Sequence, residues 1–331
     1  MLLYLLLLAF WAFLFAYVVS KLTMGRVKSP VCLVGKTAIV TGGNEGIGFQ
    51  VCLMLASRGC RVIIADVANS EESKRKIIEE TNNPNIITKH IDLASFKSIR
   101  EFAEDIIKTE TNLDILIHNA GVSVSLPTTT GDGVNKTFQI NYYGPFLLTH
   151  LLIGLLKKSA PSRVIFTSSA ASFINNLSED NLNPNEVIND YVQGSKQYAN
   201  TKTCIIMAAN EFAKRLKGTG VTVNSLHPGL VQTKTITNGV KLTKNMGVFQ
   251  LFLYYMTMFF TYTLGKTSYE GAQTTVNLAV DKKLDNVTGK YFLDCMTLFV
   301  LPPNVNNSKL AEAVWRKSEE LTQLKESEKL R

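Results

Sequence analysis

Tyr198 and Lys202 stand four residues apart in the stretch YANTK, a spacing that puts both on one face of an α-helix. A phenol with a free pKa of about 10 is a poor base at neutral pH, but a neighbouring ammonium favours the phenolate. Such a pair can take a proton from an alcohol as it is oxidised, or return one to a carbonyl as it is reduced. The spacing alone decides little, because Tyr17/Lys21 and Tyr262/Lys266 share it. The first ends an apolar leader and the third lies in an apolar stretch late in the chain. Only Tyr198/Lys202 follows a strand-like run, RVIFTSS, that closes with Ser168 and Ser169. Ligands of open α/β sheets bind at the carboxyl edge of the strands, so a serine at that edge can bond a reacting oxygen, and a polar strand end can equally cap the next loop.

A second constellation lies near the start of the chain. TAIVT over 37–41 reads as a short buried strand. It runs at once into Gly42, Gly43, Asn44, Glu45, Gly46, Ile47 and Gly48, and then into a helical apolar pattern at Phe49, Val51, Cys52, Met54 and Leu55. Glycines let backbone N–H groups at a helix N-terminus approach a pyrophosphate closely. The next strand, RVIIA over 61–65, ends at Asp66, about 20 residues beyond the glycines, where a ribose 2′-hydroxyl would sit. A carboxylate there accepts bonds from the ribose and repels a 2′-phosphate, and Glu45 adds negative charge. These features predict a dinucleotide cofactor, with NAD preferred over NADP. The alternation of strand and helix patterns predicts an α/β fold: a Rossmann-type doubly wound parallel sheet with helices on both faces.

The chain resembles the short-chain dehydrogenase/reductase family from about Lys36 to beyond Cys295. The motifs that carry the likeness occur in order: TGGNEGIG at 41–48, Asp92-Leu93, Asn119-Ala120-Gly121, Asn141, Ser168-Ser169, YANTK at 198–202 and His227-Pro228-Gly229. The resemblance implies roles residue by residue. Thr41, Gly42, Asn44, Glu45, Gly46, Ile47, Gly48, Asp66, Asp92, Leu93, Asn119, Ala120, Gly121, Tyr198, Lys202, Pro228, Gly229 and Thr233 would bind the cofactor, Asp92 through the adenine and Thr233 through the nicotinamide amide. Asn141, Ser169, Tyr198 and Lys202 would be catalytic, with Ser169 rather than Ser168 bonding the reacting oxygen and Asn141 positioning a water that relays protons to the lysine. Most relatives carry two asparagines before that Ala-Gly, whereas this chain has His118 in the first place. HPGLVQT, KTSYEGAQT and GKYFLDC look most like the retinol dehydrogenase-type branch, which implies retinoids and sterols as substrates. TGGNEGIG, RVIIA and WRKSEELT resemble a dehydrogenase/reductase of that branch for which polyprenol- or dolichal-type isoprenoid lipids are implied. Many retinoid-handling relatives have Cys-Arg where this chain has Asp66-Val67. Relatives include monomers and homodimers, so a homodimer is one of the two arrangements implied.

The elements that position these residues need a container. The 331 residues, 46% hydrophobic and 19% charged, suffice for one packed domain. Five cysteines without CxxC spacing argue against a complete disulfide framework, and four scattered histidines against a metal site. The net charge of +8 shows no basic stripe interleaved with aromatics, which weakens a nucleic-acid partner against an anionic membrane face. Residues 1–20 carry no charge, and Lys21, Arg26 and Lys28 follow. A helix of that length spans about 30 Å, one hydrocarbon core. We therefore expect an N-terminal membrane anchor over 1–20, a basic linker over 21–35 and one catalytic domain over 36–331 on the cytoplasmic side, at the endoplasmic reticulum or a lipid droplet. A cleaved leader and a secreted or lumenal enzyme is the competing expectation; the four sequons, at Asn135, Asn176, Asn286 and Asn306, would matter only there. The apolar run over 248–264 lies in the region, about 234–266, that forms the substrate lid in the family. It reads as a lipid-facing lid, a buried helix over the pocket or a second span. An anchor with an apolar lid fits a lipophilic small-molecule substrate. A hydroxysteroid dehydrogenase, and an NAD-binding sensor or scaffold without turnover, are the alternatives.

Overall fold

A computed structural model describes residues 11, 15, 17, 18, 21, 24–123, 129–184, 191–232 and 247–330. Its centre is one eight-stranded sheet in the order β3-β2-β1-β4-β5-β6-β7-β8. The strands are β1 (Thr37–Thr41), β2 (Arg61–Asp66), β3 (Ile86–His90), β4 (Ile115–His118), β5 (Ser162–Thr167), β6 (Val221–Leu226), β7 (Tyr291–Leu293) and β8 (Met296–Thr297). All neighbours pair in parallel except β8, which turns back antiparallel on β7. The expected doubly wound sheet is therefore present, extended by this short return strand.

The strands read as unbroken apolar runs because helices cover both faces. TAIVT of β1 is buried at every position. On one face, helices α1 (Gly46–Ala56) and α7 (Ser268–Val280) close over Val40, Val62, Ile64 and Ile117 with Val51, Leu55, Ala272 and Val276. On the other lie α3 (Phe96–Thr109), α4 (Gly144–Lys158), α5 (Tyr191–Arg215) and α8 (Ser308–Leu321). There Phe146, Phe212 and Trp315 interlock with ring centroids 4.8–5.5 Å apart. Helices α2 (Glu71–Thr81) and α6 (Val248–Leu264) complete the set.

Registry brings the carboxyl ends of the central strands level. Thr41 pairs with His118, His118 with Phe166, and Thr167 with Leu226. Sequence order reverses between β1 and β4, so the crevice above Thr41 and His118 is the switch point at which such sheets bind ligands.

The described part of the segment expected as a linker is packed against the domain. The Val27 N–H donates to Gln273 Oε1 at 3.0 Å and the Leu33 N–H to the Arg58 carbonyl at 2.8 Å. Met24 and Leu33 are buried. Most of 1–20 lies outside the described residues, and among those described no helix is long and apolar enough to cross a membrane.

Candidate active site

Helix α5 carries Tyr198 and Lys202 to the carboxyl edge of β5. The Lys202 side chain is buried, its Nζ donates to the carbonyl of Thr167 at 2.9 Å, and it lies 5.6 Å from the centroid of the Tyr198 ring. Burial pushes the Lys202 amine down to about 8. Burial raises the Tyr198 phenol, against a smaller lowering by its hydrogen bond with Ser169. The expected lowering of the phenol by Lys202 is not met in this geometry, because the amine is turned to the Thr167 carbonyl and loss of water around the phenol outweighs its polar contacts.

The two serines divide as their positions allow. Ser168 is buried; its Oγ donates to the Lys202 carbonyl at 2.7 Å and its N–H to the Leu226 carbonyl. It ties β5, β6 and α5 together. Ser169 caps a 3-10 turn, accepting from the Ala171 N–H at 3.2 Å, and meets Tyr198. Behind them, Tyr291 of β7 donates from its hydroxyl to the Ser169 carbonyl at 3.3 Å, and burial pushes its phenol up to about 12. Sequence reasoning did not single out Tyr291, since in a three-residue strand it looks like any core aromatic.

Asn141 sits in a π-helical turn, Gln139–Tyr143, that leads into α4. Such turns carry one extra residue and often mark functional positions. Both its amide N–H donors and one oxygen lone pair are engaged: Oδ1 accepts from the Val122 N–H at 2.8 Å, and Nδ2 donates to the Val122 carbonyl at 2.8 Å and to Thr201 Oγ1 at 3.1 Å. Thr201 was also missed, although it stands inside YANTK. A Cβ on Gly121 would lie 3.3 Å from both Asn141 Oδ1 and Lys202 Nζ, so glycine keeps the space between them open.

The glycine-rich turn is built around close backbone contacts. A Cβ on Gly48 would fall 2.0 Å from the Gly42 carbonyl oxygen, and Gly42 has φ +65°. Glu45 precedes α1 without a side-chain capping bond, so no N-cap side chain takes up the first amides of the helix. Thr41 Oγ1 accepts from the N–H groups of Asn119 and Ala120 at 3.1 and 3.2 Å, and Asn119 Nδ2 donates to the Thr41 and Gly42 carbonyls. Asp66 accepts from the Asn44 N–H at 3.3 Å and the Ala68 N–H at 3.0 Å, which fixes a carboxylate beside the turn. Asp92 accepts from the Ala94 N–H at 2.8 Å, and Leu93 is buried beside it. His118 is buried, donating to or accepting from Thr149 at 2.8 Å and stacked on Phe166 at 4.6 Å; burial lowers it to about 3, so it is neutral. Gly229 has φ +89° and donates its N–H to His227 Nδ1 at 3.2 Å, with Pro228 half-buried between them. Thr233 lies outside the described residues. The uncapped helix start, the glycines and the carboxylate together fit a dinucleotide: they leave amides for a pyrophosphate and an acceptor for a ribose.

Known proteins resemble this chain in sequence and in fold. The family model for short chain dehydrogenases matches residues 36–179. Retinol dehydrogenase 12 of Bos taurus is 38% identical over 299 residues, covering 90% of this chain and 89% of that protein. Retinol dehydrogenase 13 of Homo sapiens is 39% identical over 311 residues, covering 91% and 89%. Among solved structures, an uncharacterized protein from Mycobacterium Paratuberculosis has a TM-score of 0.67 at 21% identity, over 91% of this chain and 98% of that one, a likeness of fold alone. With relatives this similar along nine-tenths of its length, the chain belongs to the short-chain dehydrogenase family, whose members are NAD(P)-binding oxidoreductases.

Proposed function

We propose that the protein oxidises a lipophilic alcohol, or reduces the matching carbonyl, with NAD as cofactor. The observation that carries this reading is the contact of Tyr198 with Ser169 above a buried Lys202 at the ligand-binding edge of the sheet. A nicotinamide bound in the crevice supplies the hydride acceptor or donor. The chain's own residues do the rest. Ser169 and Tyr198 hold the substrate oxygen, and Tyr198 takes its proton or returns it. Lys202 and Asn141 stand on either side of the space over Gly121, where they orient what binds there and keep a donor beside the phenol. Asp66 supports NAD over NADP, because a carboxylate already held by two backbone N–H groups would face a 2′-phosphate at close range.

The substrate class rests on the relatives and on α6. Retinol dehydrogenases act, by their names, on retinol, and the resemblance of TGGNEGIG, RVIIA and WRKSEELT to a relative of that branch favours a polyprenol- or dolichol-type chain. Helix α6 exposes Tyr255, Phe259 and Tyr262, spaced as one helical face, which suits a lid that meets lipid. Residues 1–20, uncharged and followed by Lys21, Arg26 and Lys28, supply an anchor to the cytoplasmic side of the endoplasmic reticulum membrane. Detergent-solubilised protein should be offered a polyprenol, a retinol and a hydroxysteroid, each with NAD⁺ and NADP⁺. The expected result is NAD-dependent oxidation of an isoprenoid alcohol that Tyr198→Phe lowers by about 10²–10⁴-fold with NAD affinity nearly unchanged. Tight NAD binding without turnover on any alcohol would favour a sensor; turnover of the steroid alone would move the substrate class.

A further inference from the structure

The corner between α6 and α7 collects contacts that the reaction does not use. Lys266 follows the end of α6, and its N–H donates to the Leu230 carbonyl at 2.7 Å while its own carbonyl accepts from the Gln232 N–H at 3.0 Å. The two ends of the segment that contains α6 are thus fastened together just beyond the His-Pro-Gly turn. The Lys266 side chain runs beneath Gly229, where a Cβ would lie 2.9 Å from its Nζ, and its Nζ makes an ion pair with Asp294. Side-chain exposures of 13% and 25% put this pair largely out of water, where it is screened less than a surface pair.

The same carboxylate meets the other end of the chain. Asp294 Oδ1 accepts from the Gly25 N–H at 3.4 Å, and a Cβ on Gly25 would fall 2.0 Å from the Asp294 carbonyl oxygen. No other residue type fits that crossing. Four residues earlier, Lys21 Nζ pairs with Glu270 at 2.9 Å, and Glu270 is the capping-box residue at the start of α7. Two electrostatic pins, Lys21–Glu270 and Gly25–Asp294–Lys266, therefore flank the root of α6.

We propose that Lys266 and Asp294 are a positioning pair that fixes the N-terminal segment to the root of α6, so that both meet one bilayer in a set relation and the substrate is taken up from it. The inference rests on the lipid-alcohol reading above. Asp294 has φ +50°, a conformation that asparagine tolerates, so Asp294→Asn removes the charge with the backbone kept. Lys266→Met removes the partner charge at similar length, and Lys266→Arg restores a cation.

The test has two readouts on the full chain. Amide hydrogen exchange comes first: Asp294→Asn and Lys266→Met should each speed exchange at both 25–27 and 265–267, the double variant no more than either single one, and Lys266→Arg should restore protection. Exchange that changes at one of these sites alone, or at neither, overturns the coupling, whatever the enzyme's substrate. The second readout is turnover of one isoprenoid alcohol with NAD⁺, delivered in phosphatidylcholine vesicles and in detergent micelles. The variants should raise KM in vesicles by about tenfold, a common size for coupled neighbours, with kcat and the micelle KM within about twofold of wild type. Equal losses in both media would make the pair merely structural and overturn the proposal, as would unchanged KM in vesicles. A wild-type protein inert towards every alcohol would sink the dehydrogenase reading, while the exchange result would still decide whether the pins join the two segments.

Discussion

Replacing Lys202 with methionine should make the protein more stable while removing its activity. The amine falls from the ordinary 10.5 to about 8 because it is buried. At about 1.4 kcal/mol for each tenfold change in proton affinity, keeping it charged at pH 7 costs the fold roughly 3 kcal/mol. Methionine fills similar space without the charge but gives up the bond from the ammonium Nζ to the Thr167 carbonyl, worth about 2 kcal/mol for a charged donor. The net gain is roughly 1 kcal/mol, or about 2–4 °C in Tm at about 2–4 °C per kcal/mol. The sign with pH follows from linkage. The folded pKa lies below the unfolded one, so between them the unfolded chain binds more protons and wild-type stability from this group rises with pH. The advantage of Lys202→Met should be full below about pH 8 and shrink steadily as pH rises towards 10.5. Urea unfolding of both proteins at several pH values from about 6.5 to 9.5 measures it. A variant less stable than wild type at the low end, or a gap that does not change with pH, would refute the account of a buried cationic lysine. Turnover should fall by about a hundredfold or more in the same protein, the trade of stability for function seen at strained sites.

Other substitutions test other parts of the site. Asp66→Ala removes the carboxylate beside the glycine turn and should lower the ratio of kcat/KM for NAD⁺ over NADP⁺ by about tenfold or more, the size of one charge-assisted hydrogen bond. Gly48→Ala puts a Cβ 2.0 Å from the Gly42 carbonyl oxygen; NAD binding by titration calorimetry should be lost, or the turn should shift enough to lower Tm. Phe212→Ala empties the centre of the Phe146–Trp315 cluster and should cost about 3–5 kcal/mol in denaturant unfolding, with NAD affinity of the folded fraction retained.

Much of the site was legible because its signals are local. Strand β1, the glycine turn and α1 follow one another within 20 residues, and TAIVT needs both faces covered wherever it sits. Tyr198 and Lys202 are four apart on a helix, and Asp66 ends a strand that pairs with β1. What stayed hidden depends on distance along the chain or on fine geometry. INYYG reads as helix, yet nothing in its composition distinguishes the i→i+5 turn that sets Asn141 against Val122 and Thr201. Tyr291 reaches Ser169 across 122 positions. Residues 21–35 have no periodic pattern and enough positive charge to pass for a solvated linker; their partners are Glu270, Gln273 and Asp294. The balance at Tyr198 was also beyond sequence, since spacing reports a nearby lysine but not the direction of its amine or the burial of the phenol.

The long reach of the N-terminal strap has a consequence for biogenesis. Gly25 and Asp294 are 269 positions apart. At about 5–20 residues per second, the ribosome makes Gly25 roughly 15–50 s before its partner. For most of that interval the 24–27 stretch lacks its partners, because Gln273 of α7, which accepts from the Val27 N–H, and Asp294 do not yet exist. The earliest part of the domain to be synthesised is thus among the last to settle, and chains cut short before Asp294 should present it to chaperones and proteases however well β1 to β6 have formed.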